Sequence, residues 1–407
     1  MTTTINNEHK KLNVPNLRFP EFSGEWEKCK VSDLLDFYST NSLSWDKLEY
    51  GTDAIQNLHY GLIHVGLPTM IDLSNAKLPN ITNGNTPKNY ELCREGDIAF
   101  ADASEDTNEV AKAVEFYNLN GKDVICGLHT IHGRDNKQKT VVGYKGYAFS
   151  STTFHHQIRR LAQGTKIYSI NSKNFSECYI GIPSKEEQKK IATLLQLIDE
   201  RIATQNKIIE DLKKLKSAII DYAIGSLDAD FIKFGSLYET AGEGGTPTTS
   251  NASFYDNGKI PFIKIDDLKQ KYLIENKDFI TELGLQKSSA WLVPTHSILF
   301  SNGATIGEIT ITTYPVCTKQ GILGIVPKSN IDVEFLYYFM SSSYFKKAVN
   351  RIVTEGTMKT AYLKDINNIL CPIPTKEKQQ DIAKMPSALN SKIDFEQSIL
   401  RLFYAQK

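Results

Sequence analysis

Basic side chains interleaved with aromatic rings are the residues of this chain best suited to chemistry, and that chemistry is phosphate binding. Between residues 132 and 173, eight lysines and arginines face a single acid, Asp135, and tyrosines and phenylalanines lie among them. A second group, between residues 341 and 364, has five basic residues and one acid, Glu355. Solvated loops would have a similar composition, but the recurrence of the group favours two faces that bind a phosphate backbone.

Two sets of residues are therefore the candidates for contact with DNA. Lysines and arginines would set affinity and register on the phosphates, whereas Asn, Gln, Thr and a few Arg side chains at loop tips would read base edges. The first set comprises Arg134, Lys137, Lys139, Arg159, Arg160 and Lys166. The second set comprises Asn302, Thr305, Lys319, Gln320, Lys347, Arg351 and Lys359.

Sequence patterns typical of catalysis are missing. The glycine-rich segment SNGATIGE (301–308) lacks the lysine of a P-loop and is more typical of a tight turn. Asp266 and Asp267 precede Lys269, but acidic turns followed by lysine are common on protein surfaces. We expect no catalytic residue in this chain and no cofactor bound to it.

Histidines and cysteines do not form a metal-binding pattern either. His129 and His132 are three residues apart, and His155 is adjacent to His156. The six cysteines are Cys29, Cys93, Cys126, Cys178, Cys317 and Cys371, with no C-x-x-C pair. Zinc usually requires four ligands in a recognisable frame, so we predict free thiols and no metal site.

The element that must position the two basic faces is a long helix, predicted over residues 182–224. Ser184 is the expected N-cap, and Glu187 would complete a capping box. Apolar residues recur at steps of four and three along this segment, with a polar interruption at Gln205. About 41 residues in one helix exceed the needs of a compact domain and require a partner helix.

The partner helix lies in the same chain. Residues 373–383, IPTKEKQQDIA, repeat residues 182–192, IPSKEEQKKIA, with seven of eleven identical at an offset of 191. The apolar positions continue in register, and Glu396 takes the place of Gln205. Pro386 lies inside this second helix, where we expect a kink or a break.

Weaker matches elsewhere in the chain, in the same order, predict an internal duplication. β-branched and aromatic segments alternate with Gly, Asn and Pro, and short helices are expected near residues 334–350, so the fold class is α+β. We predict two globular domains separated by two long antiparallel coiled-coil helices and related by a pseudo-two-fold axis. The predicted parts are a loose segment at 1–16, globular domains at 17–181 and 225–371, a central spacer helix at 182–224 and a C-terminal spacer helix at 372–407.

This arrangement indicates how the chain would use its two faces. A rigid helix pair would hold them a fixed distance apart, about one turn of B-DNA or 34 Å. The target would then be bipartite, with a central segment whose sequence is not recognised. Its half-sites would differ because the two halves of the chain differ. Residues pointing outward beside the helix seam would bind partner proteins: Gln188, Leu194, Leu197 and Gln379.

Several segments resemble the specificity subunits of type I restriction–modification systems, and the resemblance covers nearly the whole chain. They are NVPNLRFPEFSGEWE (13–27), GEGGTPTTSNASFYDNGKIPFIKIDDL (242–268), LVPTHSILFSNGATIG (292–307) and the two similar helix starts. The run GGTPT followed by a strand that ends in Ile-Asp-Asp-Leu is quite specific. The first globular domain resembles a different variety of target-recognition domain.

The resemblance implies a non-catalytic subunit that reads a split, asymmetric sequence in double-stranded DNA. The two globular domains would be target-recognition domains, and the helices would bind two methylation subunits. Those subunits would carry S-adenosylmethionine and take the flipped adenine into their own pocket. Restriction subunits would join the complex, so ATP and Mg²⁺ are also expected in partners.

Two other classes of protein stay open from the sequence. One is an enzyme, a nuclease or a methyltransferase, that carries its own recognition domains. The other is a coiled-coil scaffold that binds only proteins. The segment at the start of the chain lacks the apolar core of a signal peptide, and no run of eighteen apolar residues occurs, so we expect a cytoplasmic protein without a membrane partner.

Overall fold

The computed structural model describes residues 14–15, 17–303, 305–353 and 359–407. The predicted loose segment 1–16 lies outside the described residues except for positions 14 and 15, and Glu355 also lies outside them. The chain divides into two compact units, residues 1–201 with 406–407, and residues 202–405. The boundary at residue 201 falls within one continuous helix.

The first unit combines short strands with short helices. Its strands are β1 (Glu27–Lys30), β2 (Asp36–Tyr38), β3 (Leu48–Glu49), β4 (Gln56–Leu58), β5 (Met70–Asp72), β6 (Asn80–Ile81), β7 (Ile98–Ala101), β8 (Ala103–Ser104), β9 (Ala113–Asn118), β10 (Val124–Cys126), β11 (Thr130–Arg134), β12 (Tyr168–Ser169) and β13 (Tyr179–Ile182). Its helices are α1 (Val31–Leu34), α2 (Tyr60–Val65), α3 (Tyr144–Phe149), α4 (Thr152–Leu161) and α5 (Ser172–Ser176), with a 3₁₀ helix at Trp45–Lys47. The long helix α6 (Lys185–Gly225) begins in this unit.

A five-stranded mixed sheet in the order β2-β11-β7-β9-β5 organises the first unit. Its neighbours are antiparallel except for β5 and β9, which are parallel. The central strand β7 is apolar and buried at every position, as expected when both faces of a strand are covered. A second sheet has the order β10-β4-β6-β3. Packing on the five-stranded sheet includes the rings of Phe100, Phe149 and Phe175 in one apolar cluster.

A buried ion pair fastens α3 to the central sheet of the first unit. Glu115 of β9 lies 3.0 Å from Lys145 Nζ, and both side chains are almost completely buried. The Glu115 carboxylate also accepts hydrogen bonds from Gly143 N and Gly146 N, at 3.0 and 2.7 Å. Burial raises the pKa of Glu115, although Lys145 and the two amides oppose this effect.

The second unit contains the rest of α6 and a further set of elements. Its strands are β14 (Phe231–Lys233), β15 (Tyr238–Glu243), β16 (Ile260–Ile263), β17 (Tyr272–Leu273), β18 (Asp278–Ile280), β19 (Ile298–Ser301), β20 (Ile309–Thr312), β21 (Cys317–Thr318), β22 (Ile322–Pro327) and β23 (Leu370–Pro372). Its helices are α7 (Glu282–Gln286), α8 (Val333–Ser341), α9 (Ser343–Ile352), α10 (Leu363–Ile366) and α11 (Lys376–Gln406), with 3₁₀ helices at Phe234–Ser236, Ala252–Phe254 and Ile265–Lys269. The last residue of α11, Gln406, belongs to the first unit. The short helices predicted near residues 334–350 are confirmed as α8 and α9.

The main sheet of the second unit has the same design as that of the first. Its order is β15-β22-β19-β20-β17, so in both sheets the first, fifth, third, fourth and second strands along the chain follow one another. The parallel pair is again the last one, here β17 with β20. Apolar residues from α8 and α9, among them Phe335, Phe339 and Phe345, pack on this sheet with Phe300.

Helix α6 begins at Lys185, and the predicted N-cap Ser184 accepts a hydrogen bond from Glu187 N at 3.3 Å. The carboxylate of Glu187 does not close the predicted capping box. It accepts hydrogen bonds from Arg18 Nε and Nη2, at 2.7 and 2.6 Å, and a further one from Trp26. A segment that precedes β1 is thereby attached to the start of the helix.

Helix α11 continues without interruption through Pro386, so the alternative of a break is wrong and the alternative of a kink stays a prediction. A proline inside a helix costs about 3 kcal/mol or more because it removes one backbone hydrogen bond and crowds the preceding turn. Burial on both sides opposes that cost, since Ala383, Pro386 and Ile393 are all buried. The next residue, Ser387, receives hydrogen bonds at its Oγ from Lys271 and Tyr338, both at 3.1 Å.

Two polar contacts join α6 and α11 within the second unit. Gln205 Nε2 donates to the carbonyl oxygen of Glu396 at 3.0 Å, and Lys216 Nζ donates to Asn390 Oδ1 at 3.0 Å. A later residue of α6 thus meets an earlier residue of α11. Burial lowers the pKa of Lys216.

Among the described residues, no helix is both long enough and apolar enough to cross a membrane.

Candidate nucleic-acid interface

Two short helices at equivalent places in the two units carry the most prominent exposed basic residues. Helix α4 is capped by Ser151, whose Oγ accepts from Phe154 N, and α9 is capped by Ser342, whose Oγ accepts from Phe345 N, both at 3.3 Å. Each helix buries one apolar face: Phe154 and Ile158 in α4, Phe345 and Val349 in α9. The opposite face of each amphipathic helix is left to polar side chains.

Arginine occupies the same place near the end of both helices. Arg160 in α4 and Arg351 in α9 are 191 residues apart, the offset of the repeat, and both are exposed. Lys347 is exposed on the same helix as Arg351. Among the described residues, these three cations make no ion pair, so their charge is available to a phosphate. Arg159 is half-buried and donates from Nη1 to Asn108 Oδ1 at 2.9 Å.

The remaining basic candidates of the first set form separate groups. Lys137 is exposed and its Nζ donates to the carbonyl oxygen of Asp33 at 2.9 Å. Lys139 pairs with Glu27 at 2.8 Å, and the hydrogen bond that the lysine donates to this carboxylate raises the pKa of Lys139. Lys166 is exposed in the loop between α4 and β12. The first set is thus spread over several loops, and Lys139 is partly neutralised.

Arg134 does not belong to an exposed face, so its assignment to a DNA-contacting surface is corrected. Only 5% of the residue is exposed, at the end of β11. Its Nε and Nη2 donate to the two carboxylate oxygens of Asp97, both at 2.8 Å, and Nη1 donates to Glu91 at 2.6 Å. The guanidinium also lies 4.3 Å from the centre of the Tyr38 ring. Its hydrogen-bonding groups are therefore used inside the protein.

Asn302 is also buried, at 2% exposure, and the prediction that it reads a base edge is corrected. It holds three segments together at one end of the main sheet of the second unit. Its backbone N donates to Gly321 at 3.0 Å, its backbone carbonyl accepts from Ala361 at 2.8 Å, and its side-chain amide donates to the carbonyl of Ala361 at 3.2 Å. Position 302 therefore shapes the edge on which other candidates lie.

Four exposed candidates lie on the segments that Asn302 connects. Thr305 is in the turn between β19 and β20, Lys319 and Gln320 are in the turn between β21 and β22, and Lys359 is two residues before Ala361. The two turns approach closely, since a Cβ built on Gly303 would lie 3.5 Å from the Gly321 Cα. The structure therefore brings residues far apart in sequence to one edge. A carboxylate is present there too, because Glu243 accepts from Gly321 N at 2.9 Å.

Gln188 and Gln379 do not point outward, so their prediction as partner-binding residues is wrong. Both are completely buried. Gln188 Nε2 donates to the carbonyl oxygens of Pro183 and Lys139, at 2.9 and 3.1 Å, and its Oε1 accepts from Val141 N at 2.9 Å.

Gln379 makes the same three contacts in the second unit. Its Nε2 donates to Pro374 and Asn330, at 2.9 and 3.3 Å, and its Oε1 accepts from Asp332 N at 2.8 Å. Each glutamine therefore clamps a loop of its own unit to the start of a long helix. The loop held by Gln188 carries Lys137 and Lys139.

The other two predicted partner-binding residues are exposed. Leu194 and Leu197 of α6 expose 45% and 54% of their surface and line an apolar groove of about 480 Å³ together with Phe19. The residue of α11 that corresponds to Leu194 at the offset of 191 is Met385, which exposes 58%. Met385 lines a groove of about 710 Å³ between α6 and α11 that also includes Tyr222.

Sequence reasoning missed an aromatic cleft of about 600 Å³ in the first unit. Trp45, His59, Tyr60 and His129 line it, with ring centres of successive members 4.5 to 5.2 Å apart. Burial lowers the pKa of His59, and its Nδ1 accepts a hydrogen bond from Gly61 N. The pair His59 and Tyr60 was visible in the sequence, but His129 is 69 positions further on, so only the fold could reveal the cluster.

A second unpredicted cluster contains residues that could hold a metal ion. Cys93, Cys126 and His132 are buried, and their potential ligand atoms lie within 4.8 Å of one another. The sequence prediction considered cysteines close to His132 along the chain, and these two are brought to it by the fold. Every cysteine is a free thiol.

Comparisons with known proteins give a consistent result. A family model described as the type I restriction modification DNA specificity domain matches residues 75–214 and 228–401. The chain is similar to the putative type I restriction enzyme MjaX specificity subunit of Methanocaldococcus jannaschii, with 24% identity over 411 residues, 95% of this chain and 92% of that protein. It is 25% identical over 229 residues to the EcoR124I/EcoR124II specificity subunit of Escherichia coli, a match spanning 52% of this chain and 55% of that protein.

Solved structures with a similar fold are also described as belonging to type I restriction–modification systems. The type I restriction-modification S subunit from M. genitalium matches with a TM-score of 0.55 and 17% identity, over 94% of this chain and 93% of that one. A chain from a structure of the assembly and conformational transition of the type I R-M system matches with a TM-score of 0.58 and 15% identity, over 96% and 97%. At these identities the matches show the fold.

Proposed function

Because this chain belongs to the type I restriction modification DNA specificity domain family, we propose that it is the sequence-reading subunit of a type I restriction–modification complex. The observation that carries the proposal is the equivalent placement of Arg160 and Arg351. Each lies exposed near the end of a capped, amphipathic helix of its own unit, at the repeat offset of 191. Two equivalent cationic positions fit a protein that holds a duplex at two places.

We propose that the two units are target-recognition domains produced by an internal duplication. The identical strand order of the two main sheets supports this proposal, as do the matching contacts of Gln188 and Gln379. Gln205 and Glu396 are equivalent positions of the two repeats, and they contact each other. Equivalent residues meet in this way at a two-fold axis, which supports a pseudo-symmetric antiparallel coiled coil as the spacer.

The proposed DNA target is bipartite and asymmetric. The residue at position 156 is a histidine, whereas its counterpart 191 residues later is Lys347. In the second unit, Thr305, Lys319 and Gln320 form an edge. The corresponding loops of the first unit have a different sequence. Side chains at such tips determine which base edges can be read, so the two domains would read different half-sites.

We propose that the exposed apolar positions at the starts of the long helices bind two methylation subunits. Leu194 and Met385 are equivalent in the repeat, and both leave about half of their surface exposed beside a groove. An isolated exposed leucine is ordinary, but a repeated one next to an apolar groove is typical of a docking surface. In this proposal S-adenosylmethionine, ATP and Mg²⁺ are bound by methylation and restriction subunits, and this chain has no catalytic role.

The DNA target is first identified by sequencing modified adenines. The experiment then uses the full chain together with its methylation subunits and a duplex that contains this target. Arg160→Glu and Arg351→Glu should each weaken duplex binding while leaving the subunit composition unchanged. The salt slope of the binding constant should become shallower by about 0.9 for each phosphate that a variant no longer neutralises. Lys207→Glu is the matched control, because Lys207 is exposed on α6 outside both proposed faces.

Three results would contradict the proposal in different ways. Loss of assembly with unchanged DNA affinity would refute the assignment of the arginines to a DNA face. Absence of duplex binding with all subunits supplied would favour a scaffold that binds only proteins. Methylation or cleavage by this chain alone would favour an enzyme.

A further inference from the structure

A buried cluster of two thiols and an imidazole lies in the first unit, apart from the exposed basic residues. The Sγ atoms of Cys93 and Cys126 are 3.6 Å apart, and a ring nitrogen of His132 lies within 4.8 Å of both. The exposed fractions of the three residues are 5%, 1% and 0%. Sulfur and imidazole nitrogen are the ligand atoms that zinc prefers in proteins.

The backbone holds the three residues rigidly, from three different segments. Cys126 ends β10, and His132 is the central residue of β11. Cys93 N donates to the carbonyl of Val124 at 2.8 Å, which fixes the segment before β7 against β10. Since β10 belongs to the four-stranded sheet and β11 to the five-stranded sheet, the cluster lies where these two sheets meet.

The histidine is oriented in the manner of a metal ligand. Its Nε2 lies 2.8 Å from Asp97 Oδ2, and Asp97 in turn accepts two hydrogen bonds from Arg134. A carboxylate that accepts from one ring nitrogen fixes the tautomer and leaves a lone pair on the other. That other nitrogen, Nδ1, is buried and has no hydrogen-bond partner among the described residues. A buried acceptor without a partner destabilises the folded state, and a bound metal ion would remove that cost.

The separation of the two sulfur atoms fits a tetrahedral ion. With Zn–S bonds of about 2.3 Å, two thiolates on a tetrahedral zinc have their sulfur atoms about 3.8 Å apart. The observed separation of 3.6 Å is close to this value and far longer than the sulfur–sulfur bond of a disulfide, about 2.05 Å. Little movement of the thiols is therefore needed to bind the ion.

We propose that Cys93, Cys126 and His132 bind one Zn²⁺ ion in the first unit, with Asp97 holding His132 in place. The ion would join the four-stranded and the five-stranded sheet of that unit. It would also stabilise the end of β11, from which the loop with Lys137 and Lys139 continues. The role of the ion is structural. The proposal goes beyond the proposed reading of DNA, and it can be tested separately because zinc binding is measured without any DNA.

Zinc content of the full-length protein, purified without chelator, tests the proposal. We expect about one zinc per chain by elemental analysis, and X-ray absorption should show two sulfur neighbours at about 2.3 Å and nitrogen or oxygen neighbours at about 2.0–2.1 Å. Cys93→Ser and Cys126→Ser should each lose the metal. Cys178→Ser is the matched control, because Cys178 is an equally buried thiol outside the cluster.

The wild-type measurements keep the proposal testable if the serine variants do not fold. A thiol-modifying mercurial should release zinc in proportion to the thiols modified, and cobalt loaded in place of zinc should show thiolate charge-transfer absorption. Purified protein without zinc that also fails to bind cobalt would overturn the proposal and leave a hydrogen-bonded thiol pair. Fewer than six titratable thiols in the unfolded, unreduced protein would overturn it in favour of a disulfide.

Discussion

Replacement of Gln188 by methionine tests whether the buried glutamines clamp the loops to the long helix. Methionine keeps the length and volume of the side chain but removes both the acceptor for Val141 N and the donor to Lys139 and Pro183. The backbone groups of the loop would then be left without these partners. Gln379→Met makes the same change for Asp332 N in the second unit.

The magnitude follows from those hydrogen bonds. One buried N–H that is deprived of its partner costs about 1–3 kcal/mol, so a central value of about 2 kcal/mol is expected for local opening of the loop. Since about 1.4 kcal/mol corresponds to a factor of ten, the amide of Val141 should exchange with solvent roughly 30-fold faster. Gln188→Met should leave Asp332 unchanged, and Gln379→Met should leave Val141 unchanged.

Amide hydrogen exchange of the free protein, resolved to peptides that contain Val141 or Asp332, is the assay. Gln196→Met is the matched control, since Gln196 lies on the same helix and its side chain donates a hydrogen bond to the exposed Glu200. Unchanged exchange at both amides in both variants would refute the reasoning, because the glutamines would then fill space without holding the loops.

Three further predictions concern stability and docking. Glu115→Gln leaves the buried Lys145 without its ion pair and should lower the free energy of unfolding by about 3–5 kcal/mol in denaturant titrations, whereas Glu177→Gln at the exposed pair with Lys30 should leave the free energy of unfolding nearly unchanged. Equal destabilisation of the two variants would contradict the assigned burial. Burial lowers the pKa of Lys216, so between that value and 10.5 the unfolded state binds more protons, and stability of the second unit should rise with pH. Lys216→Met should abolish this rise in unfolding midpoints measured from pH 8 to 10, and a slope that persists would implicate another group. Leu194→Glu should prevent co-purification of one methylation subunit without changing the melting temperature, and full retention of both subunits would exclude that docking surface.

Features with a strong local signal could be predicted from the sequence. The apolar periodicity and Ser184 placed the first long helix close to its observed bounds, and the repeated IP-x-KE-x-Q segment located the second. The continuation of α11 through Pro386 could not be predicted, because the helix is stabilised there by burial against other elements. Propensity alone describes the isolated segment and omits that tertiary contribution.

Side-chain burial was the main source of error at the candidate sites. Arg134 belongs to a group of basic residues that predicts an exposed face, but Asp97 and Glu91 approach it from 37 and 43 positions earlier in the chain. Gln188 and Gln379 were assigned outward because polar residues usually face water on an amphipathic helix. Their polar partners are backbone groups of loops, which have no signature in the sequence. Cys93, Cys126 and His132 likewise converge through strand pairing.

The contact between Gln205 and Glu396 has a consequence for which chain segments can associate. Because the two positions are equivalent, two copies of the C-terminal half pairing with each other would bring a pair of Glu396 carboxylates together in a buried place. Each carboxylate would keep its ion pair with Lys392 of its own helix but would lose the hydrogen bond that the Gln205 amide donates to it. The difference between Gln205 and Glu396 thus disfavours pairing of two copies of the C-terminal half and favours pairing of the C-terminal half with the N-terminal half.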